Sequence, residues 1–242
     1  DCLEFLRGIS DDSIDLILTD PPYCIGFDGG KGWDSQWKSE EEYLDWCLDW
    51  TRECERVLKS NRMMVVFGTL KTDTFLRYKL RVSEECSSVR GQNEIIWSYN
   101  WGGRSKSNFA RKHEYAWCWS KGEEFMFNAD DVRVERALKK NIRTGKEFEK
   151  GTIPTCVWEK NNHTTSKEYV NWHPTQKPLV LMERIIKAYT NVGDVVLDCF
   201  SGSGSTMIAS QNASREFVGC ELSEEYVRKS LERMLLLNPL GF

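Results

Sequence analysis

The chain has 242 residues, of which 40% are hydrophobic and 29% charged, so it is expected to fold as a globular domain and not to be disordered. No apolar run approaches the roughly 20 residues that cross a bilayer, and we expect no membrane partner. The formal net charge of −4 taken alone argues against a nucleic-acid partner, since phosphate binders are usually basic. The nine cysteines contain no C-x-x-C pair, which favours reduced thiols in a cytoplasmic protein.

The N-terminal third alternates between strand and helix patterns. An apolar run over 14–19 ends at Asp20 and two prolines, as a buried strand does. Over 39–58 the apolar residues recur at helical spacing, and Ser39 is a suitable N-cap. A strand, a helix and a further strand are predicted over 63–67, 72–80 and 94–99.

Residues 101–172 differ from both flanks, because they are rich in Lys, Arg and Asn and contain one predicted strand, over 114–120. We predict that they form an insert between a first half of the domain, 1–100, and a second half, 173–242. Residues 104–160 carry 13 Lys and Arg against 9 Asp and Glu, whereas the rest of the chain carries 20 against 28. The net charge therefore conceals a basic middle, which removes the argument against nucleic acid.

The C-terminal third returns to regular alternation. Its predicted elements are a helix from 179, a strand over 194–198, a helix over 205–212, a strand over 216–221 and a helix capped by Ser223. Strands separated by helices predict an α/β fold with a mostly parallel, doubly wound sheet and helices on both faces.

A glycine-containing turn lies between the predicted strand and helix of the last third. It contains Asp198, Phe200, Gly202, Gly204, Ser205 and Thr206. Glycine lets a ligand approach the backbone, and the helix N-terminus offers free N–H groups. Glu221 follows Asp198 by 23 residues, a spacing suited to a ribose. The dinucleotide fingerprint is incomplete because position 207 is Met, so a nucleoside without pyrophosphate is favoured. A plain βα turn is the alternative.

A second motif, Asp20, Pro21, Pro22 and Tyr23, lies at the carboxyl end of the first predicted strand, where α/β sheets bind ligands. Pro22 has no N–H, so the Pro21 carbonyl stays free to accept a hydrogen bond. A carboxylate, a fixed carbonyl and an aromatic face suit a planar amine. The alternative is a strand-ending turn.

A third motif, H-P-T-Q-K-P over 173–178, precedes a helix. The three histidines show no metal-ligand spacing, so no metal site is expected.

In this order, the motifs resemble those of the S-adenosylmethionine-dependent DNA amino-methyltransferases in their β arrangement, the N6-adenine and N4-cytosine DNA methylases. In that family D-P-P-Y comes first, a target-recognition segment follows, and H-P-T-x-K-P and F-x-G-x-G come last. The resemblance covers nearly the whole chain except its middle. It implies a Rossmann-like methyltransferase fold with a small target-recognition insert. The opening Asp1 and Cys2 resemble the end of a further cofactor motif, so a preceding segment is expected upstream.

The resemblance also implies site residues and a mechanism. Asp20 and the Pro21 carbonyl would bind the two hydrogens of the target amine, and Tyr23 would stack on a base flipped out of duplex DNA. Its nitrogen would attack the sulfonium methyl in line, without a covalent enzyme intermediate. The catalytic residues are thus Asp20, Pro21, Pro22 and Tyr23. The implied S-adenosylmethionine-binding residues are Asp1, Cys2, Asp20, His173, Thr175, Lys177, Asp198, Phe200, Gly202, Gly204, Ser205, Thr206 and Glu221.

The basic middle would contact DNA through phosphates and base edges. The candidates are Arg104, Lys106, Arg111, Lys112, Arg133, Arg136, Lys139, Lys140 and Arg143, for which a solvated surface is the alternative. The glycine-rich loop 26–37 is either a cover for the flipped base or a plain connector. Double-stranded DNA is the expected partner, and a homodimer and a separate cognate restriction endonuclease are left open.

Four other functions compete with N6-adenine methylation. An N4-cytosine methyltransferase more often has Ser at the position of Asp20, and RNA- or glutamine-modifying relatives more often have Asn there. An NAD-dependent dehydrogenase accounts for the glycine turn but leaves Asp20–Tyr23 unexplained. A catalytically silent DNA-binding module conflicts with the intact motifs.

Overall fold

A computed structural model describes residues 1–100, 102–136, 138, 140, 142–159 and 166–237 of the chain. The strands are β1 (Ile14–Thr19), β2 (Leu58–Gly68), β3 (Val89–Ser98), β4 (His113–Lys121), β5 (Val157–Glu159), β6 (Val195–Asp198) and β7 (Glu216–Gly219). The helices are α1 (Cys2–Arg7), α2 (Glu40–Val57), α3 (Thr74–Glu85), α4 (Leu179–Tyr189), α5 (Ser205–Asn212) and α6 (Glu224–Leu237), with a short 3-10 helix over Ala129–Val132. None of the helices in these ranges combines the length and apolar character that a membrane crossing needs.

The strands form one sheet in the order β5-β3-β4-β2-β1-β6-β7. Strand β4 runs antiparallel to both of its neighbours, and the other four pairings are parallel. The prediction of a mostly parallel α/β sheet is therefore confirmed.

The side chains of the sheet build a core on each face. Ile14 and Ile17 of β1 face the core formed with α1, α2 and α3, whereas Leu16 and Leu18 face the core formed with α4 and α5. All of β1 is buried, as expected for a strand covered on both faces. The predicted arrangement of helices on both faces is thus confirmed.

Helix α2 begins as the sequence indicates. The Ser39 hydroxyl accepts a hydrogen bond from the Glu42 backbone N–H at 3.1 Å, which caps the helix. The predicted apolar stripe, from Tyr43 to Val57, is buried. Helix α1, which the sequence pattern does not predict, is capped by the Asp1 carboxylate.

Residues 101–172 contribute a strand to the middle of the sheet. Strand β4 pairs with β2 from Met63↔Ser120 to Gly68↔Tyr115 and with β3 on its other side. The described part of this range therefore comprises a loop before β4 and a longer segment after it. That later segment is anchored under α4, where the Asn128 side chain donates a hydrogen bond to the Thr190 carbonyl at 2.8 Å.

The chain reverses its direction of travel across the sheet between β1 and β6. From β1 it proceeds outward through β2, and it later returns to place β6 on the other side of β1. The carboxyl ends of β1 and β6 are consequently adjacent, with loops leading away to opposite sides. Such a switch point leaves a crevice where α/β proteins bind ligands.

Candidate active site

A cavity of about 1400 Å³ lies at this carboxyl edge. The four predicted catalytic residues line it, as do all the predicted cofactor residues except Gly204. Gly204 instead begins α5 with φ +75°, and a Cβ there would lie 2.8 Å from Cβ of Ser230. A glycine is therefore required at position 204 for the close packing of α5 against α6.

The turn after β1 presents its polar groups to the cavity. The Tyr23 hydroxyl donates a hydrogen bond to Asp20 Oδ1 at 2.6 Å. The Pro22 carbonyl accepts from the Tyr43 hydroxyl at 2.8 Å, which fixes the turn to α2. Within the described residues no donor reaches the Pro21 carbonyl, so it is available to a ligand.

A lysine buried to 4% exposure joins this turn to the H-P-T-Q-K-P motif. Lys177 Nζ lies 2.5 Å from Asp20 Oδ2 and 3.2 Å from Glu114 Oε2, and the Tyr23 hydroxyl is 3.3 Å from the same Glu114 oxygen. We call Asp20, Tyr23, Glu114 and Lys177 the quartet. Lys177 was predicted among the cofactor residues, but here its ammonium group contacts the carboxylates.

Burial and charge determine the protonation of this quartet. Burial raises the pKa of Tyr23 well above its usual value, and the carboxylates of Asp20 and Glu114 raise it further, so its hydroxyl is a proton donor. Burial opposes the charged form of Lys177, but the two carboxylates outweigh it and raise the pKa of the ammonium group. With two carboxylates and one ammonium, the quartet carries one excess negative charge.

The loop after Tyr23 is held by a buried aspartate. The Asp34 carboxylate accepts hydrogen bonds from the backbone N–H groups of Tyr23, Cys24, Ile25 and Phe27, at 2.6 to 3.0 Å. It therefore fixes the backbone at Tyr23. Trp37, at the end of this loop, packs against Trp46 of α2 with ring centroids 4.8 Å apart.

Glu221 and the glycine turn form the other side of the cavity. Glu221 Oε2 accepts from the Gly202 N–H at 2.8 Å and Oε1 from the Ser223 N–H at 2.9 Å. Each oxygen retains a lone pair for a ligand hydroxyl. Gly202 has φ +45°, and a Cβ there would lie 2.7 Å from His173 Nε2, so only glycine fits between the motifs.

An aromatic wall borders the same side of the cavity. The Phe200 ring packs against Trp46 and Trp50 of α2, with centroid separations of 5.5 and 5.4 Å. Phe200, Trp46 and Trp37 all line the cavity. A flat heterocycle can stack on such a surface.

Three predicted cofactor residues are bonded to the protein itself. Asp198 accepts hydrogen bonds from the Thr19 hydroxyl at 2.7 Å, the Phe200 N–H at 3.0 Å and the Thr206 hydroxyl at 2.5 Å. Burial raises the pKa of Asp198 to about 6. The Ser205 hydroxyl donates to the Lys177 carbonyl at 2.8 Å. These contacts join the ends of β1 and β6 and the start of α5 into one rigid edge.

His173 is neutral near pH 7. Burial, together with the positive charges of Lys177 and Arg233, lowers its pKa to about 4. Its Nδ1 accepts from the Thr175 N–H at 3.4 Å, which leaves the proton of the neutral ring on Nε2, facing Gly202.

Four residues of this site are absent from the sequence prediction: Glu114, Asp34, Trp46 and Arg233. Glu114 is the second residue of β4, and Trp46 shares a helix face with Trp50, so the sequence weakly indicated where each residue lies. Asp34 stands among glycines, a context typical of turns. No pattern in the sequence indicated that Arg233 of α6 belongs to the site. Its guanidinium group donates a hydrogen bond to the Ser203 carbonyl at 2.8 Å and so supports the glycine turn.

The predicted DNA-contacting residues fall into two groups. Arg104, Lys106, Arg111 and Lys112 lie in the loop 102–112 before β4, and the last two line the cavity.

In the second group, several cations have partners in their own segment. Arg133 binds Asp130 at 2.6 Å, Arg136 donates to the Lys150 carbonyl at 2.9 Å, and Lys140 pairs with Glu147 at 3.2 Å. Arg143 is exposed, and Lys139 lies outside the described residues.

Comparison with known proteins identifies the family. A model of the N6/N4 DNA methylases matches residues 14–232. The chain is 35% identical over 248 residues to the DNA adenine methyltransferase YhdJ of Escherichia coli K12, covering 97% of this chain and 80% of YhdJ.

Solved structures share the fold. The PvuII DNA methyltransferase, which is cytosine-N4-specific, aligns with a TM-score of 0.76 at 22% identity over 96% of this chain and 83% of its own. The M1.HpyAVI complex with SAM aligns with a TM-score of 0.63 at 26% identity over 96% of both chains.

A doubly wound α/β domain with a large cavity at its topological switch point is the architecture of the Rossmann-like methyltransferases. The chain belongs to the N6-adenine and N4-cytosine DNA methylase family, and it is a DNA methyltransferase.

Proposed function

We propose that this DNA methyltransferase is site-specific and transfers a methyl group from S-adenosylmethionine to the N6 amine of an adenine flipped out of duplex DNA. One observation carries the proposal. Asp20 and the open Pro21 carbonyl line the same cavity as Glu221 and the Gly202 turn that is bonded to it. One group of residues suits an aromatic amine and the other suits a nucleoside.

The catalytic turn supplies acceptors for the amine. An exocyclic amine on a heterocycle is a weak nucleophile, because its lone pair is delocalised into the ring. Asp20 and the Pro21 carbonyl would each accept one amine hydrogen and so favour a tetrahedral nitrogen. Tyr23, whose backbone is fixed by Asp34, would give the base an aromatic surface. Positioning then supplies much of the rate.

The opposite side of the cavity fits the cofactor. S-adenosylmethionine, when bound, supplies an electrophilic methyl group on a positively charged sulfur. Glu221 would accept the ribose hydroxyls through its remaining lone pairs, and Phe200 with Trp46 would border the adenine. Gly202 lies against the His173 ring, where a Cβ would be 2.7 Å from Nε2, and it keeps the cofactor turn close to the H-P-T-Q-K-P motif. His173 is neutral and adds no positive charge beside the sulfonium.

Adenine is favoured over cytosine by two observations. Position 20 carries a carboxylate, where N4-cytosine enzymes of the resemblance more often have Ser, and a relative 35% identical is a DNA adenine methyltransferase. The cytosine-N4-specific PvuII enzyme shares the fold, so an N4-cytosine methyltransferase is the second candidate.

Methyl transfer can be tested directly. The protein is incubated with labelled S-adenosylmethionine and DNA, and the DNA is digested to nucleosides. We expect label in N6-methyldeoxyadenosine. Label in N4-methyldeoxycytidine would contradict the adenine assignment, and unlabelled DNA would contradict the proposal.

Asp20→Asn is the matched variant for this assay. It keeps the shape of the side chain but loses the charge and one acceptor, so transfer should fall roughly a hundredfold or more. Binding of S-adenosylmethionine, measured by calorimetry, should persist. Transfer at the wild-type rate would remove Asp20 from the mechanism.

Ligand-dependent melting separates the remaining alternatives. S-adenosylmethionine should raise the melting temperature, because it binds the folded state alone, and NAD should not. A rise with NAD would instead support a dehydrogenase, and a rise with neither ligand would support a silent DNA-binding module.

Location and partners form part of the same proposal. We place the enzyme in the cytoplasm, where its DNA substrate is found. Analytical ultracentrifugation would show a homodimer as a species with twice the monomer mass. A separate cognate restriction endonuclease would cleave the DNA site that this enzyme protects by methylation.

A further inference from the structure

The loop 102–112 stands directly over the active-site cavity for a topological reason. It connects the carboxyl end of β3 to the start of β4, and β4 is antiparallel to its neighbours. The loop therefore begins and ends at the same edge as Asp20, and Glu114 follows it by two residues. Ser105, Phe109 and Arg111 of the loop line the cavity.

The loop is strongly basic. It contains Arg104, Lys106, Arg111 and Lys112 and no acidic residue. Arg104, Lys106 and Arg111 are exposed and form no ion pair with any residue the structure describes. A surface with this charge and no internal neutralisation is complementary to a phosphate backbone.

Local hydrogen bonds shape the base and the tip of the loop. The Lys112 ammonium donates to the Gly102 carbonyl at 2.8 Å and closes the base of the loop. At the tip, Ser105 Oγ accepts from the Asn108 N–H at 3.0 Å, and Asn108 Oδ1 accepts from the Phe109 N–H at 2.7 Å. The backbone at Phe109 is thus held in a turn by its neighbours.

Phe109 itself is 97% exposed. A single exposed apolar side chain is ordinary on a protein surface. Phe109 differs because it is a rigid aromatic ring that lines the active-site cavity, in a loop whose Arg104, Lys106 and Arg111 form no ion pair within the described residues. Apolar side chains in such surroundings insert between base steps in several DNA-binding proteins.

We infer that Phe109 inserts into the DNA stack and fills the gap left by the flipped target base. The inference rests on the proposed function and adds its DNA-side component. Arg104, Lys106 and Arg111 hold the phosphates on either side, and the ring of Phe109 stacks on the bases next to the gap. Its contribution is to lower the energy of the flipped state, whereas the quartet acts on the extruded base.

The inference is tested with Phe109→Ala and two duplexes. Both contain the sequence that the wild-type enzyme methylates, mapped beforehand, and they differ only opposite the target base. One duplex has the normal partner base, and the other has an abasic site, which already weakens pairing. On the normal duplex the variant should lose roughly tenfold to hundredfold in transfer rate, the scale of one base–aromatic stack. On the abasic duplex it should approach the wild-type rate.

A fluorescent target base reports flipping without methyl transfer. With 2-aminopurine at the target position, the wild type should increase the fluorescence on binding, and Phe109→Ala should give little increase. Phe109→Trp should restore both flipping and rate. Equal rates for Phe109→Ala and wild type on the normal duplex would overturn the inference, as would an equal loss on both duplexes.

Ile142→Ala is the matched control. Ile142 is 83% exposed in the other basic region and does not line the cavity, so its removal should leave both readouts unchanged. A loss equal to that of Phe109→Ala would also overturn the inference. Because Phe109 is exposed, its variant should melt with the wild type. If the wild type methylates no DNA, the proposed function itself has failed, and this outcome is distinct from all of the above.

Discussion

The Asp20 carboxylate is shared between the protein and the proposed target amine. Tyr23 and Lys177 already contact it, at 2.6 and 2.5 Å, and they hold it in one orientation. A buried ammonium group without its carboxylate partners would strongly lower the stability of the fold. The pairing therefore fixes Asp20 before DNA arrives, so little reorganisation is needed at the moment of reaction.

Glu114 is expected to act as a positioning residue for Asp20 and Tyr23. Glu114→Gln keeps the shape of the side chain but removes its negative charge. Asp20 is then the one carboxylate of the quartet that pairs with Lys177, so the ammonium group should draw closer to Asp20 and compete with the target amine. We expect kcat to fall roughly tenfold, with S-adenosylmethionine affinity unchanged. Glu94→Gln, on the same β3–β4 hairpin but outside the cavity, is the control. A change in cofactor affinity alone would contradict this role.

His173 should produce a measurable pH dependence of stability. Its pKa is lowered from 6.5 to about 4 in the folded protein, so between these values the unfolded chain binds a proton that the folded chain does not. The free energy of unfolding should therefore rise with pH across this window and fall on acidification, by at most about 1.4 kcal/mol per pH unit. Urea unfolding of wild type and His173→Gln measures the difference, and parallel curves would contradict it.

At the scale of elements, the site is assembled by turns that follow adjacent strands. The Thr19 hydroxyl of β1 donates a hydrogen bond to the Asp198 carboxylate of β6 at 2.7 Å, which couples the turn after β1 to the turn after β6. Each turn is additionally braced by a buried charged residue, the first by Asp34 of the following loop and the second by Arg233 of α6. The geometry is therefore set by rigid strand ends.

The glycine turn can be tested with a pair of substitutions. Gly202 and Gly193 both have positive φ, but only at Gly202 does a Cβ meet another group, His173 Nε2 at 2.7 Å. Alanine at either position should lower stability by roughly 1–2 kcal/mol through backbone strain. Only Gly202→Ala should also weaken S-adenosylmethionine binding, by about tenfold or more, in calorimetry. Equal affinity for the two variants would show that the turn does not enclose the cofactor.

The sequence predicts the elements well where local signals are strong. Ser39 caps α2 as expected, and the apolar run of β1 ends at Asp20. It does not predict that 114–120 belongs in the middle of the sheet, because the pairing of β4 with β2 joins residues about fifty positions apart. Glu114 was missed for the same reason, since only this pairing brings it to Asp20.

At the scale of the whole molecule, charge is distributed unevenly around the cavity. The net charge is −4, yet the loop over the cavity carries four cations and no acid. The quartet below carries excess negative charge. A phosphate backbone would therefore be attracted to the basic loop 102–112 and repelled by the carboxylates of Asp20 and Glu114.

The salt dependence of DNA binding should arise mainly from the cations of the loop 102–112. A triple variant with Gln at Arg104, Lys106 and Arg111 should reduce the slope of log K against log salt by about three. Arg136, Lys140 and Lys150 already have partners within their segment, so Gln at these positions should change the slope less. Fluorescence anisotropy at several salt concentrations measures both, and the reverse order would move the phosphate contacts to the later segment.

The antiparallel direction of β4 also affects how freely the loop 102–112 can vary. Both ends of the loop are fixed on paired strands of one hairpin, with Tyr99 N–H bonded to the Lys112 carbonyl at 2.9 Å. Insertions between these anchors extend outward and leave the ladder register, and hence Glu114, in place. Doubling the length of such a loop costs only roughly 0.6 kcal/mol in closure entropy. A longer loop can thus extend outward at this point without displacing Glu114 or the strands below it.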